Sequence, residues 1–330
     1  MSFVVITDTS SNLPTSVIRK HGIEEISFPY YMEGKTCHCT DTEAFDSEAF
    51  YAAIAKGATV TTSQITPQRY VEFYEPFLKE GKDILFVAMS SGISGSCSSA
   101  KIGAQEILEF YPERRIEVVD TIGASLGEGL LAVQSAELRD QGMALQEAAD
   151  LLRKRAKSLF NVFTVDNLMF LKRGGRLSNL SAVIGTVLNI KPILKGNEEG
   201  KIVAFAKVRG RKQSIRTLAQ LYEKNVVDPE KQIVGIAQAA CREDAEALAA
   251  MLWETRPPKE ILIVDYEPVT GSHVGPGALA LFFGSTEDIR SYSGESLTEL
   301  MKQKVTQAGR QAVTKAGKTI QKIRTSEKEK

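Results

Sequence analysis

Histidine is scarce in this chain of 330 residues: only His21, His38 and His273 carry an imidazole, so any mechanism that needs a histidine base must choose among three. Cysteine is nearly as rare. Cys37, Cys39, Cys97 and Cys241 are few and irregularly spaced, which argues against a disulfide framework and fits a reducing compartment. Excess charge of either sign is missing too, because 41 basic residues balance 41 acidic ones. No overall basic field invites nucleic acid or an anionic membrane. No apolar run reaches the ~20 residues that a membrane span requires. The opening "MSFVVITDTS" has no basic segment before its short apolar run, so it reads as a first strand and not as a secretory signal, and a cytoplasmic location is expected.

What is present is the composition of a folded globular protein, 43% hydrophobic and 25% charged, with length enough for two ordinary domains. Apolar and amphipathic runs alternate through the first half: strands near 3–8, 23–31, 83–89 and 116–120, and helices near 47–56, 96–109 and 125–157. That alternation predicts a layered α/β domain with a largely parallel sheet, whose ligand sits at the carboxyl ends of the strands. The register changes near residue 160. A strand, two short helices and a hairpin about "GNEEG" introduce an antiparallel component, and strands near 232–238, 260–265 and 277–283 with helices near 211–224 and 241–255 complete an α+β domain. The expected division is therefore 1–159, 160–283 and 284–330. In the last of these, Leu297, Leu300, Met301, Val305, Ala308, Ala312, Ala316, Ile320 and Ile323 recur at helical spacing, predicting an amphipathic helix before a disordered end. Its alanine-rich face favours protein packing over membrane insertion.

The stretch "FVAMSSGISGSCSSAKIGAQEIL", residues 86–108, sets six serines between a strand-like and a helix-like run. A P-loop would place a lysine after its second glycine to reach the outer phosphates, and none stands there. A nucleophile elbow needs G-x-S-x-G, but Gly92-Ile93-Ser94-Gly95-Ser96 ends in serine. Strand, Ser/Gly turn and helix start together direct N–H groups and hydroxyls toward an anion. Helix capping alone accounts for the same serines equally well. Elsewhere, Asp8 after the first strand lacks the second aspartate of a D-x-D phosphatase, since residue 10 is Ser10. The "CHC" at 37–39 alternates faces along a strand and no further cluster completes four-coordination, so it reads as structural.

Seven segments, "ITDTSSNLP" at 6–14, "TTSQITP" at 61–67, "SSGISGS" at 90–96, "VVDTIGASLGEG" at 118–129, "FLKRGGRLS" at 170–178, "KPILKGNEEGKIVAFAKVRGRKQSI" at 191–215 and "HVGPGALAL" at 273–281, occur in the order and approximate spacing of the DegV family, which residues 1–283 resemble. The resemblance implies a two-domain DegV-like fold that binds one long-chain fatty acid in a buried tunnel. It also implies a role as the acyl-carrying subunit of a bacterial fatty acid kinase in phospholipid metabolism, presenting the carboxylate to a separate ATP-using subunit, with no cofactor and at most transient membrane-surface contact. By motif position Thr62 and Ser94 would hold the carboxylate. Arg176 and His273 would reach the head group across the cleft, with Ser96, Asp8 and Ser10 as further neighbours. Segment 177–190, "LSNLSAVIGTVLNI", would line or gate the tunnel, although core packing explains its apolar residues as well. In "TTSQIT" isoleucine and threonine replace the family's usual proline and serine, and the tail beyond Phe283 is extra. The competing reading is a serine-dependent lipid or acyl hydrolase using Ser94 with His273.

Overall fold

The computed structural model describes residues 3–177 and 189–292, so the expected helices in 178–188 and 293–330 lie outside the described residues. The described chain up to Ser291 forms one compact unit.

The first half runs β1 (Phe3–Asp8), α1 (Thr15–His21), β2 (Ile23–Ile26), β3 (Pro29–Met32), β4 (Lys35–His38), α2 (Ser47–Ala55), β5 (Val60–Thr62), α3 (Pro67–Lys79), β6 (Asp83–Ala88), α4 (Ser96–Leu108), β7 (Ile116–Asp120), α5 (Leu126–Asp140) and α6 (Leu145–Ser158). Four of these strands make a parallel sheet in the order β2-β1-β6-β7. Its central strands, "FVVITD" and "DILFVA", are continuous apolar runs because both faces are covered. Val5, Leu85, Val87 and Val119 pack with Leu130, Leu131 and Leu152 of α5 and α6. On the other face Ile6, Ile84 and Phe86 pack with Tyr70 and Tyr74 of α3 and Ala100 and Ala104 of α4.

The second half runs β8 (Leu159–Thr164), α7 (Met169–Arg173), β9 (Ile190–Gly196), β10 (Ile202–Arg209), α8 (Arg211–Asn225), β11 (Ile233–Gln238), α9 (Arg242–Thr255), β12 (Glu260–Asp265), α10 (Pro268–Val274) and β13 (Leu279–Gly284). Its six-stranded sheet has the order β10-β9-β8-β13-β11-β12. Among the described residues only the β11–β12 pair within it is parallel. The antiparallel hairpin expected about "GNEEG" is β9–β10. Its turn is also one of the contacts between the two halves of the chain: Ser90 Oγ donates to the Gly200 carbonyl at 2.9 Å. Gly200 has φ +70, and a Cβ there would lie 2.0 Å from Ser90 Oγ, so no larger residue fits this approach.

The run expected as one strand over 23–31 divides at Ser27–Phe28. β2 stays in the parallel sheet, whereas β3 joins a separate three-stranded antiparallel sheet, β4-β3-β5, through Tyr30↔Cys37 and Tyr30↔Thr62. The Phe28 N–H turns away to donate to Thr9 Oγ1 at 3.0 Å, and Pro29, which has no N–H, opens the new strand. Within this small sheet His38 Nδ1 lies 3.0 Å from Ser27 Oγ. Helices α1, α3 and α10 occupy segments where hydrophobic periodicity predicted no element. α3 and α10 start at Pro67 and Pro268, where a fixed φ suits the first helical position, and each is capped by the residue before, Thr66 and Glu267.

Candidate ligand cavity

The carboxyl ends of β6 and β7 face the mixed sheet, and between them lies a cavity that, with its opening to solvent, encloses about 850 Å³. Phe28, Met89, Ile93, Ile122 and Ala124 wall it from the first half of the chain, and Phe163, Leu171, Ile202, Val269, Val274 and Phe282 from the second. Thr62, Ser94, Arg176 and His273 line the same space. Four of the residues singled out from sequence thus meet at one cavity, although they come from four separated segments.

Each of the four is placed by its local backbone. Thr62 ends β5, opposite Tyr30 of β3. His273 is the penultimate residue of α10, and its Nε2 lies 2.8 Å from Thr62 Oγ1. Its ring packs so closely on Gly174 that a Cβ there would lie 2.3 Å from Nδ1. Arg176 follows the turn at Gly174–Gly175 and donates from Nε to the Ile93 carbonyl at 3.1 Å, tying the second half of the chain to the serine loop. Ser94 Oγ accepts from the Ser96 N–H at 3.2 Å, at the start of α4. Burial, and then the Arg176 charge, push the His273 imidazole down to about 4. At neutral pH the histidine is uncharged, and Arg176 supplies the formal charge among these four side chains, a positive one suited to an anion.

All four are half-buried. Thr62, Arg176 and His273 also line a second depression of about 800 Å³, open to solvent, together with Thr59, Thr61, Arg173 and Ser272 and the apolar Ile54, Val60 and Phe170. Three of the four polar side chains therefore stand between an apolar interior and an outer recess of mixed lining.

Ser96, Asp8 and Ser10 are not among the residues that line the cavity. Ser96 is buried behind Ser94, and its Oγ accepts from the Ile65 N–H at 3.1 Å. Asp8 and Ser10 belong to a buried cluster under the first turn, where Ser10 Oγ bonds the Asp8 carboxylate and Glu128 Oε2, the latter at 2.8 Å. Thr7 Oγ1 donates to Glu128 Oε1 at 2.8 Å. Burial pushes the Asp8 carboxyl up to about 6, and burial beside Asp8 pushes Glu128 well above the usual carboxylate range. Sequence reasoning missed Glu128 and also Asn161, which lines the cavity from β8. Each left one visible trace, a polar residue inside an apolar run: "LGEGLLAV" and "LFNVFTV".

A sequence model of a family of uncharacterised proteins, DegV, matches residues 2–286. The chain belongs to the DegV family. A DegV domain-containing protein of Clostridium perfringens is 40% identical over 294 residues, spanning 87% of this chain and 99% of the relative. Among solved structures, a DegV family protein from Thermus thermophilus, described by its fatty acid binding, superposes with a TM-score of 0.77 at 28% identity, covering 87% of this chain and 100% of its own. DegV from Bacillus subtilis, described as a fatty acid binding protein, gives a TM-score of 0.75 at 28% identity with the same coverage. The parallel sheet with its helices and the mixed sheet described above are thus the two-part α/β architecture of DegV proteins. No helix among the described residues is long and apolar enough to cross a membrane.

Proposed function

We propose that this DegV family member holds one long-chain fatty acid with its tail in the apolar cavity and its carboxylate at Thr62 and Ser94, and that it presents that carboxylate to a separate ATP-using subunit. The observation that carries this reading is the position of Thr62, Arg176 and His273, which border both the apolar cavity and the solvent-open recess outside it. A carboxylate held there has its tail out of water and its oxygens within reach of a second protein.

The tail supplies affinity. At about 0.8 kcal/mol per buried methylene, a sixteen-carbon chain contributes on the order of 10 kcal/mol before ordering costs. The polar end supplies orientation. Two hydroxyls donate to the carboxylate, and Arg176 balances its charge without a salt bridge tight enough to quench the nucleophile. In the transfer, a carboxylate oxygen attacks the γ-phosphorus of ATP, the bond to the β-bridging oxygen breaks, and ADP leaves with that electron pair. Ser96 backs Ser94, while Asp8 and Ser10 order the turn beneath the site. The hydrolase alternative requires Ser94 to be activated by His273. Among the described residues His273 Nε2 pairs with Thr62, and Ser94 Oγ with Ser96, which favours the carrier.

Lipid extraction from protein purified without added lipid tests the reading. One non-covalent long-chain acid per chain is expected in the mass spectrum. An empty cavity in folded protein, or an acyl group covalently fixed on Ser94 after incubation with an activated ester, would overturn it.

A further inference from the structure

Of the side chains that the strands of the six-stranded sheet contribute to the cavity, Phe163, Ile202 and Phe282 are apolar and Asn161 alone is polar. Asn161 stands on β8 directly opposite Phe282 of β13, two residues before Phe163 and on the same face. It is only 7% exposed, yet its Oδ1 has no hydrogen-bond partner. Nor does its amide donate to any described residue. The backbone around it makes room for this group and nothing more. A Cβ on Gly123 would lie 2.6 Å from Asn161 Nδ2, and one on Gly127 2.6 Å from Oδ1.

Burying an amide without a partner is costly, and native interiors rarely leave one. A trapped water would satisfy it only with roughly two to four polar partners of its own. Among the cavity-lining side chains of the strands and turn around Asn161, Phe163, Phe282 and Ile122 are apolar, and Ser125 donates its hydroxyl proton to Asn12 Oδ1. A plain methylene chain lying here would leave the Nδ2 group unpaired, whereas a hydroxyl on the chain can accept from it. Thr270 Oγ1 is also unpartnered, but it sits on α10 one turn before His273, with the polar end of the cavity.

We propose that Asn161 is a specificity-determining residue that selects a long-chain acid bearing a hydroxyl group partway along its chain. The inference rests on the fatty-acid reading above and goes beyond it by naming the substrate class. The full chain, stripped of lipid, is offered octadecanoic acid in competition with a series of monohydroxyoctadecanoic acids whose hydroxyl moves stepwise along the chain. Bound species are read by native mass spectrometry. One neighbourhood of hydroxyl positions should bind about tenfold more tightly than the unsubstituted acid. In Asn161→Leu, and in Asn161→Ala as a second variant that adds no bulk, that preference should vanish while the unsubstituted acid still binds. Thermal melting verifies that both variants are folded. Equal binding across the series by the unaltered protein, or a preference that persists in both variants, overturns the inference while leaving the fatty-acid reading intact. Failure of folded protein to retain any acid, substituted or not, sinks that reading and this inference with it.

Discussion

Thr62 has one hydroxyl proton, and its contact with His273 governs where that proton points. With the imidazole held neutral at pH 7, an Nε2–H that donates to Thr62 frees the hydroxyl to donate to a carboxylate. Thr62→Ala and Ser94→Ala should each slow phosphorylation of bound acid by a partner kinase about tenfold or more, through lost orientation of the nucleophile. Retention of the chain, set by the tail, should change far less. Transfer assays beside mass-spectrometric retention check this, and collapse of retention with unaffected transfer would refute the assignment. The buried acids make a separate prediction about pH. Asp8 at about 6, Glu267 at about 7 and Glu25 at about 8 lie above their ordinary values, each mainly through burial. The folded state therefore holds protons that the unfolded state has released, so these groups stabilise fully below their unfolded values and that stability is lost as pH rises through the folded ones. His273 acts oppositely: its folded value is depressed, and the stability it supports is lost as pH falls from about 6.5 toward about 4. From pH 6 to 8 the acids dominate, and the melting temperature should fall. Glu128→Gln, which removes the buried carboxyl that would have to ionise beside Asp8 and keeps the shape, should raise the melting temperature at pH 8 by a few degrees and flatten the slope. An unchanged slope in calorimetry would detach this pair from the pH dependence.

Helices α3 and α4 show how far an element can be read from its own residues. α4 was legible in "SCSSAKIGAQEIL" because small and apolar residues recur at helical spacing after a capping loop. α3, "PQRYVEFYEPFLK", was not, because its buried stripe is Tyr70, Tyr74 and Leu78 and it carries Pro76 inside. Tyrosines read as polar until a neighbour covers them. That neighbour is α4, which comes close at Gly103, where a Cβ would lie 2.8 Å from the Pro67 carbonyl oxygen and 2.9 Å from Tyr70 Cβ. Gly103→Ala would gain about 1 kcal/mol in helix propensity. The obstructing oxygen is backbone and cannot rotate away, so overpacking of about 1–3 kcal/mol should win. A net drop in melting temperature is expected, and a rise would show that α3 can yield. The same limit applied to the site. Family resemblance drew attention to Thr62 and Ser94, which line the cavity, but the bond from Thr62 to His273 joins residues 211 apart in sequence, and no local pattern encodes it. β1, β6 and β7 were plain as apolar runs between turns, whereas the division of 23–31 between two sheets depends on where Phe28 finds its acceptor.

At the scale of the whole molecule, the cavity exists only because the parallel and mixed sheets are held against each other, and one residue far along the chain from most of its walls secures that arrangement. Asn12 closes the turn after β1 in the left-handed region, φ 59, which asparagine tolerates better than most residues. Its Nδ2 donates to the Asp265 carbonyl at 2.5 Å. Its Oδ1 accepts from the Glu267 N–H at 3.2 Å and from Ser125 Oγ at 3.3 Å. One amide thus joins the end of β1, the start of α5 and the β12–α10 connection, which leads into the helix that carries His273. Asn12→Gly keeps the backbone conformation available and removes only the tie, leaving a buried N–H and a carbonyl without their partner. Because Asn12 does not line the cavity, any effect on bound lipid must travel through the packing of the two halves. Release of a labelled fatty acid into excess unlabelled acid should accelerate about tenfold in Asn12→Gly, the equivalent of one or two lost hydrogen bonds. A fall in melting temperature with an unchanged release rate would mean that the amide stabilises the fold while the cavity is kept shut by the hairpin turn at Gly200 and Ser90 instead.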